Sequence, residues 1–170
     1  MIVQEEWVSI NTTPDVVERY LTSPDLMSQW RSPQVVLEPV QGELMTLNSI
    51  HKMRLKPLGL VGSDYTVTER DSGRIVMKIE GPWEGTELWR WFADGNRTVV
   101  QNRVEYEVDN PGLRVFVLGI GRFLADLDMR IQLERLRQLI EGPPPSITAL
   151  FGGGTSSSTT PRNQRIEIES

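Results

Sequence analysis

Asn110-Pro111 divides the body of this chain between two hydrophobic rhythms. Just before it, Val100, Asn102, Val104, Tyr106 and Val108 alternate with Gln101, Arg103, Glu105 and Glu107, the pattern of a strand buried on one face. After it, Leu113, Phe116, Ile120, Phe123, Leu127 and Ile131 begin a broad stripe of helical period that continues to about Glu141. Asn110 suits an N-cap and Pro111 the first helical position. A helix over 112–141 has to bury that stripe. The only large apolar face on offer is a sheet built from the strands before it.

Those strands are marked by period two and by turn signals. Residues 2–10 read as a strand. Thr13-Pro14-Asp15 and Ser23-Pro24-Asp25 each start a short helix, with Thr13 as a cap and Trp30 packing through the last turn of the second. From Val35 a strand runs to near Gly42. A longer one is expected over 44–56, with Leu47, Ser49, His51, Met53 and Leu55 on one face and Lys52, Arg54 and Lys56 on the other. Strands over 64–69, 75–80, 86–93 and 97–108 follow, separated by Asp71-Ser72-Gly73, Gly81-Pro82-Trp83-Glu84-Gly85 and Asp94-Gly95-Asn96. Successive hairpins imply an antiparallel sheet. Gly119 and Gly121 inside the helical stripe each cost about 1 kcal/mol against alanine, so a close approach or a bend is expected there.

A length of 170 residues favours one domain with a real core. After Glu141 the composition changes: Gly, Pro, Ser and Thr fill 17 of the 29 positions 142–170, too few apolar groups to offset the entropy of ordering. We expect a domain over 1–141 and a flexible tail over 142–170. Ile147-Thr148-Ala149-Leu150-Phe151 is the tail's one sticky element, able to dock on the domain or on a partner. The absence of cysteine removes disulfides, thiol nucleophiles and cysteine metal sites, and the single histidine, His51, removes two-histidine metal sites. A net charge of −5 argues against nonspecific nucleic-acid binding. The first residues lack the pattern of a signal peptide, and the longest apolar run, 115–121, is far short of the ~20 residues of a membrane span. A cytoplasmic protein without stable membrane insertion is expected, with no cofactor and no metal; its oligomeric state is open.

The order of strand, two short helices, about six strands and one long helix resembles the helix-grip layout of the START-like, or SRPBCC, superfamily. That superfamily includes birch-pollen-allergen-like proteins, polyketide cyclases/dehydrases and lipid-transport domains. Val8-Ser9-Ile10-Asn11-Thr12-Thr13-Pro14-Asp15 resembles the family's entry from first strand to first helix. Ser23-Pro24-Asp25-Leu26-Met27-Ser28-Gln29-Trp30 looks like its second short helix, Tyr65-Thr66-Val67-Thr68-Glu69 its middle strand, and Trp89-Arg90-Trp91 with Gly95-Asn96-Arg97-Thr98 its aromatic strand and turn. The resemblance covers residues 2–141. It implies an α+β fold: a curved antiparallel sheet of about seven strands wrapped around a long C-terminal helix, with a cavity between them for a small lipophilic molecule.

On that layout His51, Met53, Leu55, Tyr65, Met77, Trp89, Trp91, Asn102, Tyr106, Ile120, Phe123 and Leu124 are the expected cavity lining. No catalytic residue is assigned. His51 is either a base or anchor for a ligand carbonyl, its unperturbed pKa lying near neutrality, or a structural histidine. Trp89 and Trp91 share a strand face and either stack on a flat ligand or pack as core. Asn102 and Tyr106 face inward and need polar partners, from the protein or from a ligand. Glu80, Glu84 and Glu87, flanking the turn at 81–85, read as solvated, and Lys52, Arg54 and Lys56 as a solvated basic face. Binding or transport of a lipophilic molecule is the leading expectation. A cyclase- or aromatase-like enzyme would need His51, Asn102 and Tyr106 to converge. A noncatalytic interaction module would have its cavity filled by its own side chains.

Overall fold

The structure, a computed structural model, describes residues 1–55 and 62–142, and of residues 55, 113, 116, 117 and 120 the backbone alone. Lys56 and residues 143–170, nearly all of the expected tail, lie outside the described residues. The described chain forms β1 (Ile2–Ile10), α1 (Pro14–Thr22), α2 (Pro24–Trp30), β2 (Val35–Gln41), β3 (Ile50–Leu55), β4 (Gly62–Asp71), β5 (Arg74–Glu80), β6 (Glu84–Asp94), β7 (Arg97–Glu107), α3 (Pro111–Phe116), a π-helical turn (Val117–Gly121) and α4 (Arg122–Glu141). The strands make one antiparallel sheet in the order β1-β7-β6-β5-β4-β3-β2. This is the helix-grip arrangement: five consecutive hairpins, with the first strand returned to the open edge of the last.

Period two decides which residues face the helices. In β5, Ile75, Met77 and Ile79 are buried; in β4, Ser63, Tyr65 and Val67; in β6, Glu87, Trp89 and Trp91. α1 and α2 contribute Val17, Leu21, Met27 and Trp30 to the same core. Trp30 meets Trp89 edge to face, ring centroids 5.6 Å apart, and its indole N–H donates to the Tyr20 carbonyl at 3.0 Å. Burial of two such rings, with the indole N–H satisfied, fixes α2 against the sheet. Two glycines permit tight approaches. Gly73 has φ +83°, and a Cβ there would stand 2.6 Å from the Trp91 carbonyl oxygen; at Gly85 a Cβ would stand 1.9 Å from the Glu105 carbonyl oxygen.

α4 lies along the β1 edge and runs in the same direction as β1. Gln4 bonds to Asp126, Glu6 pairs with Arg130, and the Asn11 backbone N–H donates to Glu141 at 2.6 Å. Met129, Leu133 and Leu136 are its buried face.

Three expectations need correction. The strand expected over 44–56 starts only at Ile50. Residues 43–49 turn instead: the Thr46 N–H donates to the Glu43 carbonyl and the Ser49 N–H to the Thr46 carbonyl, while Met45 and Asn48 take φ of 59° and 64°. Met45 is therefore buried, and Leu47, read as inward, is 53% exposed. The single helix expected over 112–141 is broken at Gly119, whose φ −86°, ψ −114° are not helical. A Cβ at Gly119 would meet nothing within 4 Å, so this glycine marks a bend and not a close approach. Thr13 makes no side-chain cap bond, the helix start resting on Pro14. The Asn110 cap does form: the Gly112 N–H donates to Asn110 Oδ1 at 3.0 Å.

Candidate functional site

Enclosed by α2, α4 and the inner face of the sheet is a set of polar groups centred on a carboxylate. Glu87 is 9% exposed. Its Oε1 accepts the Trp89 indole N–H at 2.7 Å and the Asn102 amide at 2.9 Å. The register puts Trp89 opposite Asn102 on the neighbouring strand, and Glu87 precedes Trp89 on the same face, so backbone pairing alone brings the three together. This corrects the expectation that Glu87 is solvated; Glu80 and Glu84 are exposed, as expected.

Arg31, just after α2, lies near this cluster. Its cation sits 5.6 Å from the Trp30 ring centroid, and its charge acts on Tyr65 and His51. Burial lowers the Arg31 pKa, with Glu87, Tyr65 and Asp128 opposing. Burial raises the Tyr65 phenol well above its ordinary value, Glu87 adding to the effect and a Trp83 hydrogen bond working against it, so the phenol stays protonated.

Beyond Tyr65, on β3, His51 is fully buried. Its Nε2 accepts the Met45 backbone N–H at 3.2 Å and lies 2.9 Å from Ser49 Oγ. An Nε2 that accepts an amide N–H leaves the ring proton on Nδ1. Burial, and then the charge of Arg31, lower this histidine's pKa, so the ring is neutral. Among the described residues five buried side-chain atoms lack a hydrogen-bond partner: His51 Nδ1, Ser63 Oγ, Arg31 Nε, Asp64 Oδ1 and Trp91 Nε1. An orphaned buried donor is costly, about 1–3 kcal/mol each, and His51 Nδ1, Ser63 Oγ, Arg31 Nε and Trp91 Nε1 are four such groups.

The expected lining residues fall into distinct places. Tyr65, Met77, Trp89, Trp91 and Asn102 are buried on the inner face with His51, and Met53 and Tyr106 are half-buried. Trp91 is capped by Arg70, 5.6 Å from its ring centroid and itself paired with Glu18 at 2.6 Å; this ring is closed off by the protein's own cation. Phe123 and Leu124, expected to face the cavity, are 68% and 51% exposed. Toward β1 the helix presents instead the Arg122 backbone carbonyl and the Asp126 carboxylate, both of which accept from the Gln4 amide. The side chains of Leu55 and Ile120 lie outside the described set. His51 and Asn102 do not converge: β4, β5 and β6 separate their strands, roughly 19 Å along the sheet. Arg31 and Ser63 had no signal in the sequence reading, whereas Glu87 had one: it alternates in phase with Trp89 and Trp91.

Two hollows border α3 and α4. One of about 160 Å³ is lined by Met1, Ile2, Val108, Arg114 and Leu118; one of about 250 Å³ lies in the seam between β1 and α4, beside Trp7, Val8, Arg130 and Leu133. Both fall below the roughly 300 Å³ at which small-molecule sites begin, and neither borders the Glu87 cluster. Among the described residues no group of three or more His, Cys, Asp or Glu is placed to hold a metal ion, and no helix is long and apolar enough to cross a membrane.

A seven-stranded antiparallel sheet gripping a C-terminal helix, with polar groups on its inner face, defines the START-like class. The chain belongs to the polyketide cyclase/dehydrase and lipid transport family, whose model matches residues 1–141. Solved structures agree on the fold. TTHA0849 from Thermus thermophilus superposes with a TM-score of 0.66 at 16% identity, over 82% of this chain and 97% of that one. The Aha1 dimer from Colwellia psychrerythraea gives 0.60 at 14%, over 84% and 98%. Ara h 8.0201 gives 0.60 at 10%, over 84% and 99%. No curated protein sequence matches the chain.

Proposed function

We propose that this protein binds a small lipophilic molecule between the inner face of the sheet and the α3–α4 segment, and that the molecule carries an acidic or carbonyl end. The observation that carries this reading is the row of unpartnered buried donors, Arg31 Nε, His51 Nδ1 and Ser63 Oγ, on the inner surface. All three can donate to an oxygen, and Arg31 brings charge. The apolar body would lie against Met53, Tyr65 and Met77, and the break at Gly119 would let the segment before it swing clear during entry. Membership of a lipid-transport and polyketide-cyclase family supports the ligand class. The enzymatic alternative is weakened by the separation of His51 from Asn102, and by the engagement of His51 Nε2 with Met45 and of the Asn102 amide with Glu87.

The test compares a fluorescent long-chain fatty acid with its methyl ester, reading tryptophan quenching. Saturable binding of the acid is expected, and Arg31→Met should weaken it by about 10–100-fold, the value of a lost charge-assisted hydrogen bond. The ester should be affected far less. Trp91→Ala, beyond the Arg70 cap, should leave affinity within about threefold once folding is matched. Equal losses for acid and ester in Arg31→Met would remove the polar anchor. Absence of saturable binding, with no lipid co-purifying in native mass spectrometry, would leave the interaction-module reading.

A further inference from the structure

The first half of α4 carries its apolar residues on the wrong side for the sheet. At about 100° per residue, Leu124, Leu127 and Ile131 project roughly 150–170° away from the buried face of Met129, Leu133 and Leu136. All three are exposed, as is Phe123 beside them. Further along, the same outward face turns polar, with Glu134, Arg135 and Gln138. An apolar strip of this kind on a helix otherwise settled against its sheet calls for a cover.

The chain that follows α4 has the complementary pattern. Gly142, at φ +84°, ends the helix. Residues 143–146 are Pro-Pro-Pro-Ser, which add little apolar surface, and 147–151 are Ile-Thr-Ala-Leu-Phe. Extended chain advances about 3.1–3.4 Å per residue and a helix about 1.5 Å. Residue 147 can therefore lie up to roughly 17 Å from Gly142 and residue 151 up to roughly 30 Å; Ile131 is roughly 17 Å back along the helix and Phe123 roughly 28 Å. The plain residues of the tail span the polar stretch of α4, and its apolar ones reach the apolar stretch.

We propose that residues 147–151 fold back over α4 and cover Phe123, Leu124, Leu127 and Ile131 within the same chain. The tail is an intramolecular strap on the outer face of the helix, with Ile147 near Ile131 and Leu150 near Leu127. This is independent of any ligand on the inner face.

The absence of cysteine makes the test clean. Two full-length double variants are oxidised at micromolar concentration: Leu127→Cys with Leu150→Cys, and Leu139→Cys with Leu150→Cys. Leu127 and Leu139 are exposed and can be altered without touching the core. A free tether of residues 143–150 spans only about 16 Å on average, so it meets Leu139, about 5 Å back along the helix from Gly142, several-fold more often than Leu127, about 23 Å back. The strap reverses that order, and the Leu127 pair should close about tenfold faster than the Leu139 pair. Alongside, Leu150→Ser with Phe151→Ser should raise the fluorescence of an apolar surface probe about twofold or more, at unchanged melting of the domain. Faster closure to Leu139, a disulfide formed between two copies, or unchanged probe fluorescence would each overturn the proposal.

Discussion

Replacing Glu87 by alanine tests whether the buried cluster is the structural centre of the inner face. The substitution leaves the Trp89 indole N–H and the Asn102 amide without the oxygen they share at 2.7 and 2.9 Å. Each stranded donor costs about 1–3 kcal/mol, so the pair predicts a loss of about 2–6 kcal/mol. For a domain of this size that is a fall in Tm of roughly 5–15 °C. Glu87→Gln keeps an acceptor oxygen and the volume while removing the charge that faces Arg31. Its expected loss is smaller, about 1 kcal/mol, which separates acceptor from charge. Urea unfolding at constant m-value gives both numbers. A cycle with Asn102→Ala should return a coupling of at least about 1 kcal/mol. A Glu87→Ala variant within about 0.5 kcal/mol of the parent, or a coupling near zero, would refute a shared buried acceptor.

His51, held below its ordinary value of 6.5 by burial and then by Arg31, is neutral when folded. The unfolded chain then binds the extra proton below pH 6.5, so stability falls as pH falls, by up to about 1.4 kcal/mol per pH unit until the folded pKa is reached. His51→Gln should flatten that part of the profile; identical slopes in parent and variant would contradict a buried neutral ring. Gly85→Ala drives a Cβ to 1.9 Å from the Glu105 carbonyl oxygen and 2.7 Å from the Tyr106 Cα, both main-chain atoms. A loss at or above the about 1–3 kcal/mol typical of overpacking is expected, and calorimetry showing less than about 1 kcal/mol would mean that β6 and β7 are not so close.

Strands and hairpins were legible because period two and turn residues act locally, and each inner-face residue of β5 and β6 obeys them. The inner face of β6 also shows how a local signal can be outweighed. Glu87 is in phase with Trp89 and Trp91, yet a carboxylate near a turn reads as solvated unless something buried is known to receive it. What receives it, the Asn102 amide, comes from the next strand and depends on register. The stretch 44–49 failed for the opposite reason: its alternation matched a strand, and only the left-handed backbone of Met45 and Asn48, neither of them glycine, turns it aside. In α4 the composition showed a stripe but not that its two halves face opposite ways. The anchoring of α4 to β1 through Gln4, Glu6 and Asn11 fixes that.

β1 pairs along its whole length with β7, Ile2 lying opposite Tyr106 and Ile10 opposite Thr98. The order of synthesis and the order of assembly therefore disagree. The hairpins from β2 to β6 can close as they leave the ribosome, each against the strand just made. The first strand has no partner until about a hundred residues later, a wait of roughly 5–20 s at ordinary translation rates. Throughout that interval Ile2, Val8 and Ile10 sit on an unpaired strand. α4, which anchors to Gln4, Glu6 and Asn11, cannot seat before the wait is over. α4, made after all seven strands of the sheet, is thus the element that locks β1. A nascent chain stalled before β7 should hold its early hairpins, and residues 2–10 should be open to proteases and chaperones.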